Sequence, residues 1–300
     1  MRIGIDLGGT KIEGIVLDYQ GRERARKRVP TPSGNYQATV VAIRDLIDGL
    51  CTEAVVDEKT PVGIGIPGAL SSATGLIKNA NSTCLIGKAL DKDLAEATGR
   101  DIRLANDADC FTMSEATDGA GQGFRTVFGV ILGTGCGGGF VVEGNLLDGP
   151  NAVAGEWGHN PLPWASDAER PGPECYCGKH GCIETFVSGP GLSQAYEECT
   201  SVFKTATEIS VLAESNDKAA AQALSLYDTR LARDLASVIN VLDPHVIVVG
   251  GGLSNIDRLY KTIPEIWGQW IFSDEAVTPF ERNKHGDSSG VRGAAWLWDA

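Results

Sequence analysis

Apolar residues come in short runs that break at glycine clusters, and this rhythm organises the chain. Ile3, Ile5 and Leu7 lead into Gly8-Gly9-Thr10, and apolar character resumes from Ile12 to Leu17, which predicts a β-hairpin with a glycine-rich tip. The design recurs where the run 126–132 reaches Gly133-Thr134-Gly135 and continues through Cys136, Phe140 and Val142. A third run, from His245 to Val249, delivers Gly250-Gly251-Gly252. Between these runs the period lengthens. Val40, Val41, Ile43, Leu46, Ile47 and Leu50 mark one face of a helix over 37–51. Residues 61–68 read as a buried strand closed by a Pro-Gly turn, and 102–106 as a strand entering a helix over 108–116. Leu224, Tyr227, Leu231, Leu235, Val238, Ile239 and Leu242 share the buried face of a long helix that Pro244 stops. A further helix is expected over 256–270, and a capped one in the tail, able to pack back on the first domain. The mixture predicts an α/β protein, and the two matched hairpins predict paired domains of related build.

Composition changes this picture in three places. A net charge of −13 argues against a nucleic-acid partner, and the one basic run, Arg22 to Arg28, is broken by Glu23 and Ala25 and reads as a solvated face. No apolar run approaches the roughly 18 residues that span a membrane, and Met1 leads directly into a strand-like segment, so no membrane partner and a cytoplasmic location are expected. Of eight cysteines, Cys51, Cys84, Cys110, Cys136 and Cys199 are scattered, whereas Cys175, Cys177 and Cys182 crowd together after His159. A Cys₃His set is a closed tetrahedral donor set for Zn²⁺, and Glu156 and Glu184 flank it.

The glycine tips carry the other candidate chemistry. Bare backbone lets N–H groups approach a phosphate, and Asp6 is placed to hold hydrated Mg²⁺ beside the first tip. No Walker A sequence is present, which removes a P-loop as the source of nucleotide binding. Asn79-Ala80-Asn81-Ser82-Thr83 reads either as a turn or as a row of polar groups facing a polyol. Asp107 ends a strand and opens a helix, which suits either an N-cap or a ligand site.

Asp6 to Lys11, Asn106-Asp107, Gly133-Thr134-Gly135, Ala154 to His159, the Cys-x-Cys-Gly-x-x-Gly-Cys-x-Glu segment and Gly250 to Gly252 together resemble the ROK (repressor, ORF, kinase) family of sugar kinases. Within it, Asn79 to Thr83, Trp157 to Trp164 and the tail from His285 to Trp298 resemble most closely the bacterial manno(fructo)kinases. The resemblance implies an actin-like ATPase (ribonuclease H-like) fold, two α/β domains around a central cleft. They would be a small domain over 1–117, completed by a helix at about 289–300, and a large one over 118–288 carrying the zinc site. It implies ATP and Mg²⁺ at Asp6, Gly8, Gly9, Thr10, Lys11, Gly133 and Thr134, with the nucleoside near Gly250, Gly251 and Gly252. Sugar would be read by Asn81, Asn106, Asp107, Glu156, His159 and Glu184, with Asp107 as the general base. His159 would bind zinc through one ring nitrogen and offer the other to a sugar oxygen. The expected reaction is phosphorylation of fructose, and also mannose, at the 6-hydroxyl. Glucokinase, N-acetylglucosamine kinase and a non-catalytic sugar sensor are the alternatives, and a homodimer is in keeping with the family. Family repressors carry a helix-turn-helix ahead of the first tip; only five residues precede Asp6 here, so none is expected.

Overall fold

The computed structural model describes residues 1–80 and 82–298, which leaves Asn81, one of the expected sugar readers, outside the described residues. In chain order the strands are β1 (Arg2–Leu7), β2 (Lys11–Leu17), β3 (Glu23–Pro30), β4 (Val62–Ile66), β5 (Ala69–Leu70), β6 (Ile77–Lys78), β7 (Ile102–Asn106), β8 (Thr126–Leu132), β9 (Cys136–Val142), β10 (Asn145–Leu146), β11 (Val246–Gly250) and β12 (Phe280–Arg282). The helices are α1 (Tyr36–Ala54), α2 (Leu90–Thr98), α3 (Asp107–Thr117), α4 (Ile183–Val187), α5 (Gly189–Thr200), α6 (Ala206–Glu214), α7 (Lys218–Leu242), α8 (Leu259–Ile266) and α9 (Ser289–Ala295). The chain divides into two compact units. The first comprises Met1–Gly123, Gly139–Ala154 and the segment from Lys284 onward; the second comprises Phe124–Gly138 and Gly155–Asn283.

The first unit is built on a sheet of order β3-β2-β1-β4-β7, antiparallel across β3, β2 and β1 and parallel across β1, β4 and β7. Strand alternation sends Ile3, Ile5, Leu7, Ile12 and Val16 to one face, where they pack with Val40, Ile43, Leu46, Ile47 and Leu50 of α1. Ile15 and Leu17 go to the other face and meet Val291 and Ala295 of α9. Helix α9 lies so close to the sheet that a Cβ at Gly63 would overlap the Ala294 carbonyl, and one at Gly293 would overlap that of Cys110 in α3. The start of this tail is fastened by Glu115, a fully buried carboxylate. It accepts from the backbone N–H groups of Ala120 (2.9 Å), Lys284 (3.0 Å) and His285 (3.3 Å) and from the Ser289 hydroxyl (2.8 Å). Register puts Asp6 opposite Gly65 and Gly65 opposite Ala105, so Asp6 and the Asn106-Asp107 pair share one end of the sheet.

The second sheet has the order β10-β9-β8-β11-β12, with β11 parallel to both β8 and β12. Helix α7 is capped by Asp217, whose side chain accepts from Ala220 N–H, and buries Leu224, Tyr227, Leu231 and Leu235. The helix expected over 256–270 is shorter: α8 covers Leu259–Ile266, with 3₁₀ turns at Gly252–Asn255 and Trp267–Gln269. Pro264 lies inside α8 and lacks the N–H for its own bond to the preceding turn, and Gly268, a weak helix former, sits in the 3₁₀ turn that follows. Among the described residues no helix is long and apolar enough to cross a membrane.

Candidate active site and metal centre

In the first unit the β1–β2 tip is pinned by its own backbone. Gly8 N–H donates to the Lys11 carbonyl (3.0 Å), and the Thr31 hydroxyl donates to the Gly8 carbonyl (2.7 Å). Gly9, Thr10 and Lys11 are exposed, and nothing stands within 4 Å of where a Cβ at Gly9 would be. Asp6, just behind the tip, has its carboxyl pushed up to about 6, first by burial, then by the nearby Asp107 and Glu13 carboxylates, with Lys11 opposing. Helix α3 is capped by Asn106, whose Oδ1 accepts from Ala108 N–H (2.9 Å) while Nδ2 donates to the Gly68 carbonyl (3.0 Å). Capping therefore falls to Asn106, and Asp107 is the first helical residue, exposed, with Oδ1 accepting from Ala108 N–H (2.8 Å).

In the second unit the β8–β9 tip is tied to the start of α4 and α5. Glu184 Oε2 accepts from Cys136 N–H (2.8 Å), and a Cβ at Gly135 would stand 2.5 Å from that same oxygen. The Gly133 carbonyl accepts from Gly189 N–H (2.7 Å), while Thr134 is exposed between them. Gly250 closes β11, and Gly251 follows with φ of 80°, where any side chain would also overlap the Leu132 carbonyl. Gly252 opens the 3₁₀ turn.

The metal-binding candidates converge. One ligand atom each from His159, Cys175, Cys177 and Cys182 lies within 4.8 Å of the others. His159 Nδ1 is 3.6 Å from Cys175 Sγ, and Cys177 Sγ is 3.6 Å from Cys182 Sγ. Three soft sulfurs and one imidazole on a tight turn, with Cys175 N–H donating to the Lys179 carbonyl (2.8 Å) and Gly178 N–H to the Cys175 carbonyl (2.9 Å), make a donor set that fits a tetrahedral metal ion. With Nδ1 turned inward, Nε2 faces away. It meets the hydroxyl of Tyr176 (2.9 Å), whose ring stands at 85° to the imidazole, and lies 3.9 Å from Glu156 Oε2. Tyr176 escapes the sequence reading; its signal was a position between two ligand cysteines. The loop between His159 and Cys175 is held by Glu169, which accepts from Arg233 (2.7 and 3.0 Å) and Arg230 (3.0 Å) of α7. Burial alone would raise the Glu169 carboxyl, but Arg233, the Ser166 N–H and Arg230 outweigh it and hold it at about 2.

The structure thus groups Asp6, Gly8, Gly9, Thr10, Lys11, Asn106 and Asp107 in the first unit. In the second it groups Glu156 with the His159-cysteine cluster, and Glu184 with Gly133 to Gly135. Residues 2–300 match the model of the ROK family. The chain belongs to the ROK family. It is 39% identical, over 99% of its length and 98% of the relative's, to an N-acetyl-D-glucosamine kinase of Pectobacterium atrosepticum. The ROK hexokinase of Thermus thermophilus superposes with a TM-score of 0.87 at 30% identity, over 99% of this chain and 97% of that one. A ROK glucokinase of Streptomyces griseus, solved with glucose and AMPPNP, gives 0.78 at 27%, over 99% and 98%. This ROK protein is therefore a sugar kinase, and its two α/β units have the actin-like ATPase fold. The expected preference for fructose finds no support among these relatives; the N-acetylglucosamine alternative does.

Proposed function

We propose that this ROK kinase transfers the γ-phosphoryl group of ATP to the 6-hydroxyl of N-acetyl-D-glucosamine, with Asp107 as general base. The observation that carries the substrate is the 39% identity, sustained over 99% of the chain, to an N-acetyl-D-glucosamine kinase. A sugar hydroxyl is a weak nucleophile far from its pKa at neutral pH. A carboxylate that accepts its proton as the phosphoryl group arrives in line is the helper this chemistry needs. Asp107 suits that role because Asn106 has taken over the capping of α3 and Asp107 is exposed at the strand's carboxyl end.

The glycine tips support a phosphate-binding role. Packing does not demand glycine at Gly9 or Gly133, since nothing occupies the space a Cβ would take there. Both leave room for an incoming phosphate chain beside backbone N–H groups. Gly250, Gly251 and Gly252 offer the same bare backbone to the nucleoside. Asp6 would hold hydrated Mg²⁺, which when bound neutralises charge on the phosphates. His159, Cys175, Cys177 and Cys182 would hold zinc, which when bound fixes the turn that carries His159 and its outward nitrogen. Glu156 and His159 are the sugar readers of the second unit. Glu184, which also holds the Cys136 N–H, belongs to the same sugar-reading set in the second unit, and Asn106, which also holds the Gly68 carbonyl, to that of the first.

The test is a panel of N-acetylglucosamine, fructose, mannose and glucose with ATP and Mg²⁺, run on wild type and Asp107→Asn. N-acetylglucosamine should give the highest kcat/KM, and Asp107→Asn should lower kcat by roughly 10²- to 10⁴-fold. Fructose leading the panel would restore the fructokinase reading, and a variant at the wild-type rate would remove Asp107 as the base.

A further inference from the structure

We propose that Tyr176 is a specificity-determining residue that reads the 2-acetamido group of the sugar, an assignment that rests on the N-acetylglucosamine reading above. The metal-binding turn sets its position, because Tyr176 lies between two ligand cysteines, Cys175 and Cys177. A residue so placed is fixed at its backbone yet projects its side chain outward. Tyr176 is 80% exposed despite carrying a large ring, so its side chain is open to a ligand as partner.

Hydrogen-bond bookkeeping decides what that partner is. His159 turns Nδ1 toward Cys175 Sγ, so a neutral ring used as a ligand there carries its proton on Nε2. With Nδ1 given to the metal, that N–H donates to the Tyr176 oxygen at 2.9 Å, so His159 acts on the sugar through the Tyr176 hydroxyl. The phenol's own hydrogen is then left to donate elsewhere, and the ring, edge-on to the imidazole at 85°, leaves a face uncovered. Glu156 Oε2, 3.9 Å from the same nitrogen, adds a carboxylate that only accepts. A phenolic donor, a carboxylate acceptor and an apolar ring face therefore stand together. An N-acetylhexosamine differs from a hexose by one group with three matching features, a carbonyl that accepts, an N–H that donates and a methyl. Tyr176 O–H takes the carbonyl, Glu156 takes the N–H, and the ring covers the methyl. A plain hexose offers only a hydroxyl in that place and uses none of the ring.

The test compares wild type, Tyr176→Phe and Tyr176→Ala with N-acetylglucosamine and glucose, in turnover and in calorimetric binding. Metal content per chain reports whether the turn is intact. Tyr176→Phe should raise KM for N-acetylglucosamine roughly tenfold, leave KM for glucose within about twofold, and change neither kcat nor metal content. Tyr176→Ala should lose further affinity for the acetylated sugar alone. Equal losses for both sugars, or metal lost from Tyr176→Phe, would mean that the residue supports the turn and does not read the substituent. Wild-type protein that prefers N-acetylglucosamine while Tyr176→Phe keeps that preference overturns the role of Tyr176 only. Wild-type protein that phosphorylates glucose and neither binds nor phosphorylates N-acetylglucosamine overturns the substrate assignment with it.

Discussion

Asp6 is held where burial and the Asp107 and Glu13 carboxylates oppose its ionisation, so its carboxyl titrates at about 6 against an ordinary 3.8. The sign follows from linkage. Below about pH 3.8 the group is protonated folded or unfolded, and it adds nothing. Between 3.8 and about 6 the unfolded chain gives up its proton first, and stability falls as pH rises. Above 6 the full cost of a confined charge is present. Asp6→Asn should therefore raise the thermal midpoint of metal-free protein at pH 8, with the gain shrinking toward zero at pH 4. A gain that stays constant with pH would place its cause elsewhere than in this carboxyl. The three cysteines were singled out by their spacing after His159, Asp6 by its place behind a glycine tip, and Asp107 by the family resemblance, since its position alone suited an N-cap equally. Tyr176 was not singled out, because its place between two ligand cysteines does not say which imidazole nitrogen faces it, and the role proposed for it depends on that.

At the scale of elements, α7 shows what periodicity can and cannot report. Its apolar face, from Leu224 to Ile239, was readable from the sequence, as was its stop before Pro244, although Leu242, expected on that face, is exposed. The burial of Arg230 and Arg233 on the same helix was not, since charged residues at those positions read as a solvent face. They are buried because Glu169, from a loop far away in sequence, completes a charge-assisted pair with both. Glu169→Gln leaves two guanidinium groups under-compensated and should destabilise the protein by about 3 kcal/mol at neutral pH. The carboxyl titrates near 2 when folded against 4.5 ordinarily, so its contribution is complete above pH 4.5 and is lost as pH falls toward 2. Denaturant midpoints for wild type and variant should converge across that window. The short α8 is the opposite case: its apolar residues promised a helix over 256–270, and only Leu259–Ile266 is α-helical, with Pro264 inside it and a 3₁₀ turn after it.

At the scale of the whole molecule, the metal centre is the feature most open to direct test. Wild-type protein purified without chelators should contain about one equivalent of zinc per chain. Cys177→Ser should lose that metal and weaken N-acetylglucosamine binding at least tenfold, read by metal analysis and calorimetry. Metal-free wild type with full sugar affinity would end the idea of a metal-braced reader. Chain assembly is the part of the architecture least visible in the sequence. Strand and helix periods place elements, but nothing in them says that residues 139–154 return to the first unit.

The close seat of α9 against Gly63 and Gly293 has a consequence for synthesis. The first 123 residues leave the ribosome long before Ser289–Ala295 exists, so the sheet face of Ile15 and Leu17 stays open to solvent or to chaperones through most of translation. The second unit, ending at Asn283, is complete before the tail of the first is made. Translation order and folding order are thereby reversed: the unit that begins the chain is the last to close.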